Sequence, residues 1–201
     1  MLLATLLAAF LSPAPAPEPP NSHLWVINEI FSSPDGTIQF IEMLECCGST
    51  IETQMNGKSV TSQTTGNSFT FPQNLTGNTA HRHLLLATAG FAALSGAPAP
   101  DFILPDNFFS INGDTLRWFI YANATLTFTV GQLPLDGQLS LNRNGTTGVN
   151  SPTNYAGQSG SVSIVGVPAM PTRWLAALVG GAVVLGWMLL RRSTRMSPSE
   201  A

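Results

Sequence analysis

The chain has 201 residues, of which 9% are charged and 44% are hydrophobic; that length builds one ordinary core with segments to spare. Eighteen Gly and 15 Pro exclude a helical bundle and favour short strands joined by turns. Between Asn21 and Pro171 nine acidic side chains face four basic ones, Lys58, Arg82, Arg117 and Arg143, so the body lacks an electrostatic footprint for DNA or RNA.

Residues 2–11 form a short apolar run, and 12–20 a Pro/Ala tract. About ten apolar residues are too few to span a bilayer and suit the core of a signal peptide. Ala14-Pro15-Ala16 has the small-x-small form of a cleavage site, although no Lys or Arg precedes the run. Residues 1–20 are therefore expected to be a signal peptide followed by an extended linker.

Residues 24–31 (LWVINEIF) and 37–44 (TIQFIEML) read as a strand pair around Ser32-Ser33-Pro34-Asp35-Gly36, which supplies turn chemistry. Alternation places Ile38, Phe40 and Glu42 on one face of the second strand and Gln39, Ile41 and Met43 on the other. Ile27 and Phe40 are expected to be buried on adjacent strands. Further strands are expected at 68–71, 83–87, 115–121, 125–130, 138–141 and 161–165, with a short helix at 89–94. Many short strands at such spacing suggest a β-sandwich over residues 21–166.

Residues 174–190 (WLAALVGGAVVLGWMLL) carry no charge. At about 1.5 Å per residue they reach roughly 25 Å, the short end of a transmembrane helix. Trp174 and Trp187 lie toward its ends, and Arg191 and Arg192 follow at once. Aromatic rings favour the interface and cations the cytoplasmic side, so the C-terminus is expected inside and the body outside. The basic end covers 191–195.

Candidate chemistry is sparse. Cys46 and Cys47 are adjacent and are the only cysteines. Three states are open to them: a vicinal disulfide, unpaired thiols facing opposite ways, or intermolecular pairing. His81 and His83 would share a face if both lay on a strand, as a two-His metal site needs, but no third ligand is near in sequence. Asp35, Asp106, Asp114 and Asp136 fall among turn residues, without the spacing of a calcium loop. Glu29 and Glu42 could form the carboxylate pair of a glycoside hydrolase; the competing reading, a structural role, comes with the first resemblance given below. Gly57-Lys58-Ser59 lacks the first glycine of a P-loop, and Gly157-Gln158-Ser159-Gly160-Ser161 misses the nucleophile-elbow spacing. Three Asn-x-Thr sequons begin at Asn74, Asn123 and Asn144. No catalytic residue, cofactor site or metal site is assigned.

Two resemblances add to this. Val26-Ile27-Asn28-Glu29-Ile30, the Pro-Asp-Gly turn and Gln39-Phe40-Ile41-Glu42-Met43 resemble the opening of lamin-tail-like domains of the bacterial exported type. Residues 84–91 (LLLATAGF), Pro105-Asp106, Gly113-Asp114-Thr115-Leu116 and 137–145 (GQLSLNRNG) fit the same pattern. The resemblance covers most of residues 24–160. It implies an immunoglobulin-like sandwich, with no catalytic residues to carry over, used as an accessory module on surface and secreted proteins.

The second resemblance covers about the last 30 residues, which are similar to the C-terminal sorting tails of Gram-negative bacteria, the IPTL-CTERM type and its PEP-CTERM relatives. The motif is Val167, Pro168, Ala169, Met170 and Pro171, followed by Trp174, the apolar run and the Arg cluster. Val-Pro-Ala-Met stands where Ile-Pro-Thr-Leu is usual. The resemblance implies a membrane protease that recognises residues 167–201 and cuts them.

The expected protein is thus all-β, with one C-terminal transmembrane helix. It is exported, anchored in the inner membrane with its body in the periplasm, or released to the surface after tail processing. Its expected function is non-catalytic, as an interaction module with a surface protein or a glycan as ligand, or as a structural module. The competing expectation is a small secreted hydrolase or metal-dependent enzyme.

Overall fold

The chain divides into two units, Met1–Ile164 and Val165–Ala201. The structure, a computed structural model, describes residues 21–164. The expected signal peptide, the motif at Val167, Pro168, Ala169, Met170 and Pro171, the expected span 174–190 and its flanks Trp174, Arg191 and Arg192 lie outside the described residues. Among the described residues no helix is long and apolar enough to cross a membrane.

The described part of the first unit is almost entirely β, in two sheets. The strands are β1 (Trp25–Ser32), β2 (Gln39–Glu45), β3 (Ser59–Ser62), β4 (Ser68–Thr70), β5 (His83–Thr88), β6 (Phe102–Leu104), β7 (Gly113–Trp118), β8 (Leu126–Thr129), β9 (Leu139–Asn142) and β10 (Thr147–Val149). The larger sheet runs β10-β9-β1-β2-β5-β6, and the smaller β4-β3-β7-β8. Ile27, Ile30, Ile41, Met43, Leu84 and Leu86 of the first meet Val60, Leu116, Trp118, Leu126 and Phe128 of the second in one apolar core. Both buried indoles find acceptors: Trp25 Nε1 donates to Glu52 O at 2.7 Å and Trp118 Nε1 to Ser22 O at 2.9 Å.

The expected hairpin is present. β1 and β2 pair antiparallel, and the turn between them needs Gly36, whose φ of +72° a side chain rarely adopts. A Cβ there would come within 2.2 Å of Asn107 Oδ1. A bulge interrupts the pairing at Asn28, between Ile27↔Met43 and Glu29↔Glu42. The extra residue resets the alternation, so Ile27 and Ile30, three apart, both enter the main core while Glu29 and Phe31 face outward.

Ile27 and Phe40 are both fully buried, on adjacent strands. They serve different cores, because both faces of this sheet are covered. Phe40 belongs to a second cluster on the outer face with Phe31, Leu85, Ala87, Phe91 and Val162. Its ring stacks on Phe31 at 5.5 Å and meets Phe91 edge-on at 5.3 Å.

Phe91 comes from a helix shorter than the expected 89–94. That helix, α1, covers only Ala89–Ala92, with Thr88 Oγ1 capping Phe91 N at 3.3 Å. It lies in the crossover that lets β6 pair parallel to β5; parallel neighbours need such a connection of about a dozen residues.

Residues 161–164 form no strand. The Asn150 side chain takes both the N–H and the C=O of Val162, at 2.7 Å each, and so replaces a ladder partner. Beyond it, Ile164 N bonds Gly137 O at 2.9 Å.

Phe40→Ala should cost about 3–5 kcal/mol in denaturant unfolding, the range for deleting a fully enclosed ring. A much smaller loss would mean that the outer cluster is not a second core.

Candidate functional site

A dense polar cluster lies on the outer face of the larger sheet, where the bulge turns Glu29 opposite Glu42. Each residue is only 1% exposed. Two like charges facing each other without water are costly, so every oxygen must find a donor. Glu29 Oε1 accepts from Ser140 Oγ at 2.5 Å and Ser151 N at 2.9 Å, and its Oε2 from Ser151 Oγ at 3.0 Å. Glu42 Oε1 accepts from Asn28 Nδ2 at 2.8 Å, and its Oε2 from Thr153 N at 2.7 Å.

His83, on β5, completes the set. Its Nδ1 lies 2.9 Å from Glu42 Oε1. The contact is an ion pair when the imidazole is protonated, and Nδ1 makes no aligned hydrogen bond.

Two of these donors are main-chain groups of residues 150–160, a strap that crosses the sheet. Asn154 fastens it further through Nδ2 to Ala99 O at 3.0 Å, and Asp101 Oδ2 accepts Tyr155 N at 2.9 Å. The carboxylate pair is thus a clasp for the strap. All four of its oxygens are engaged by the protein. A glycosidase acid must instead turn one toward substrate.

Burial raises the Glu29 carboxyl above its usual 4.5, against the bonds from Ser140 and Ser151, and the charge of Glu42 adds to the rise. Contact with Glu42 is the largest influence on His83 and raises it above 6.5, against burial.

The loop after β2 is a second polar cluster. Cys46 and Cys47 are joined as a vicinal disulfide with their Cα atoms 3.7 Å apart, and both residues are exposed. Glu45, fully buried, organises the turn: its carboxylate accepts the N–H groups of Cys47 at 3.2 Å, Gly48 at 2.8 Å, Ser49 at 3.1 Å and His81 at 2.8 Å. Burial would raise Glu45, but the four donors prevail and hold it below its usual value. Strand alternation did not reveal this role; an acid directly before a Cys-Cys-Gly turn was the available signal.

The two histidines are not on one strand face. His81 precedes β5 in a left-handed conformation, φ 52°, and its ring lies against Gly48, while His83 pairs with Glu42. Among the described residues no three His, Cys, Asp or Glu side chains gather as a metal would need.

The turn acids differ from expectation in one case. Asp35 and Asp136 bind the backbone two or three residues ahead, as turn acids do. Asp114 is instead a buried member of β7. It accepts from Ser62 Oγ at 2.5 Å and from the N–H groups of Thr64 and Ser110, and so pins two loops to the smaller sheet. Gln39 does similar work: Nε2 donates to Phe109 O at 2.9 Å while Oε1 accepts Phe109 N at 3.3 Å.

Compared with known proteins, the chain matches no family model, no curated protein and no solved structure.

Glu42→Ala should lower stability by about 3–5 kcal/mol, because it leaves His83, Asn28 and the Thr153 N–H facing an emptied site. Amide exchange at Ser151 and Thr153 should speed up before that of β2. Uniform exchange across the sheet would show that the strap is not held separately.

His83 gives a pH signature. Its folded pKa is raised, so its contribution to stability is complete below about 6.5 and fades as pH rises through the folded value. Between about pH 5.5 and about pH 8.5, the wild type should lose more stability on alkalinisation than His83→Asn does. Equal slopes in thermal melts would remove the ion pair from the account.

Proposed function

We propose that this protein is a non-catalytic, exported envelope module. In this reading residues 1–20 direct export, residues 21–166 form a lamin-tail-like sandwich of immunoglobulin type, and residues 167–201 anchor the chain in the inner membrane or sort it to the surface. The observation that carries the reading is the disulfide between Cys46 and Cys47. Disulfides persist in oxidising compartments such as the periplasm and the cell surface, and are rare in the cytosol.

The non-catalytic half is supported by the clasp. Glu29 and Glu42 form the carboxylate pair a hydrolase would use, and the Ser140, Ser151, Thr153, Asn28 and His83 contacts occupy them. The C-terminal half is supported by sequence: the apolar run 174–190, Trp174, Arg191 and Arg192 have the order of an anchor with its cationic end inside. Pro168 and Pro171 cannot donate a backbone hydrogen bond to a helix, which suits a motif that a protease reads before the span.

Fractionation of the native host tests the topology. The protein should be found in membranes, with the body open to protease added from the periplasmic or outer face and with no free thiol after denaturation without reductant. Arg191→Glu combined with Arg192→Glu should weaken retention. A soluble cytoplasmic protein with two free thiols would end the reading. Intact mass should show a mature chain that lacks the residues after about Thr172; a chain still ending at Ala201 would make the tail a permanent anchor.

A further inference from the structure

The strand β10, Thr147-Gly148-Val149, is an edge of the larger sheet. It pairs with β9 in the register Thr147↔Leu141, Gly148↔Ser140 and Val149↔Leu139. Asn142 N donates to Thr146 O at 2.9 Å and Asn150 N to Gln138 O at 3.0 Å, which fixes the pairs that exchange hydrogen bonds. Such pairs alternate along an antiparallel ladder, so Gly148 bonds toward β9 while Thr147 and Val149 turn their N–H and C=O groups outward. None of these four groups has a hydrogen-bond partner among the described residues.

The opening is short. Alternation next turns out Gly145 and Ser151, and both donors are taken: Gly145 N by Asn142 O at 2.9 Å and Ser151 N by Glu29 Oε1 at 2.9 Å. The edge at β8 is closed by the chain itself. There Thr129 N donates to Gln132 Oε1 at 2.6 Å, Gln132 N donates back to Thr129 O at 3.2 Å, and Arg143 Nη1 donates to Thr125 O at 3.3 Å. Pro100 and Pro105 flank β6, and the exposed side chains of β4 are the polar Ser68 and Thr70. In contrast, β10 leaves Val149 68% exposed. It carries no charge, proline or bulge, the usual protections of an edge.

Gly148 is an independent observation. It lacks the left-handed backbone that calls for glycine at the turns. A Cβ added there would meet only Asn142 Nδ2, at 3.7 Å, an ordinary contact. A single copy therefore has no need of glycine at this position, and glycine weakens a strand. In strand interiors it marks places where another backbone comes close.

We propose that β10 pairs with β10 of a second copy of this chain, antiparallel about a twofold axis at Gly148. In this register Thr147 exchanges two hydrogen bonds with the partner's Val149, and Val149 two with the partner's Thr147, so all four open groups are used. Moving the axis by one residue sets Val149 against the partner's Gly145, or Thr147 against the partner's Ser151, whose donors are taken. The open edge is thus complementary to itself. A longer foreign strand finds no further donor on either side. Residues 144–153 carry no charge, so twofold pairing sets no like charges against each other there. Three paired residues per copy bury far less than the roughly 1,200 Å² of a stable complex; the contact is transient.

The test is cysteine trapping of the full chain in detergent micelles, with copper phenanthroline as oxidant. Gly148→Cys puts two thiols across the axis, where Cα atoms about 4.5 Å apart are within disulfide reach. The space at Gly148 admits the new Cβ. Ser68→Cys, on the open edge β4, measures chance encounters and any pairing through other parts of the chain. The Gly148→Cys dimer should form at least about tenfold faster than the Ser68→Cys dimer, with peptide mapping placing the link between the two copies at position 148. Adding Val149→Lys, at a side chain outside the core, should slow that trapping about tenfold by charging both edges. Trapping no faster than at Ser68, a link to Cys46 or Cys47 in its place, or a rate unmoved by Val149→Lys would overturn the proposal. These outcomes do not depend on where the chain is found in the cell, so failure here is distinct from failure of the export reading.

Discussion

Glu29 and Glu42 face each other across β1 and β2 with almost no exposure, and the fold must supply donors to both. Burying one carboxylate costs several kcal/mol even after relaxation. A hydrogen bond to a charged group returns about 1.5–3 kcal/mol. The raised Glu29 carboxyl shows that its three bonds do not fully offset burial and the second charge. The donors must therefore stay in place, and two of them are the Ser151 and Thr153 amides. That requirement holds the strap across the outer face. The strap in turn delivers Tyr155 to Asp101 and, through Asn150, ties down Val162 above the Phe31–Phe40 pair.

Elsewhere the electrostatics take the opposite sign. Glu45 and Asp114 are also buried, yet four donors to each hold them below their ordinary values. The stability they contribute is present above the unfolded pKa and is lost as pH falls through the folded one. Glu29 and His83 contribute on the acid side and lose their contribution as pH rises. The domain thus has two sets of groups whose pH dependences oppose each other, one fastening loops and one fastening the strap.

Much of the architecture could be read from residue pattern. The strands near 24–31, 37–44, 83–87 and 125–130 were marked by Ile, Val, Leu and aromatic runs between turn residues, and the Asp35-Gly36 turn by its chemistry. The strands that were missed lack that signal. β3 is Ser-Val-Thr-Ser, β10 is Thr-Gly-Val, and β6 is three residues between prolines. Pairing with neighbours, not composition, makes them strands. The bulge at Asn28 was invisible because a one-residue reset leaves the apolar content of β1 unchanged. Glu29 and Glu42 were visible as a pair. Their donors were not, because Ser140, Ser151 and Thr153 lie more than 90 residues away and two of them act through main-chain N–H groups. The disulfide was one of three states open to adjacent cysteines.

The attachment of Val162 and Ile164 also sets how the domain responds to force. Any pull on the chain beyond Ile164 is borne first by the Ile164–Gly137 bond and then by the two Asn150 bonds to Val162. Among the described residues no sheet ladder shares that load; beside the burial of Val162 and the packing of Ile164 only these few bonds resist it, and they break one after another instead of being sheared together. The strap would peel back toward Thr153 and Ser151 and reach the carboxylate clasp while both sheets were still intact. Tension on the C-terminal side is therefore converted into exposure of two buried acids while the sheets are still paired.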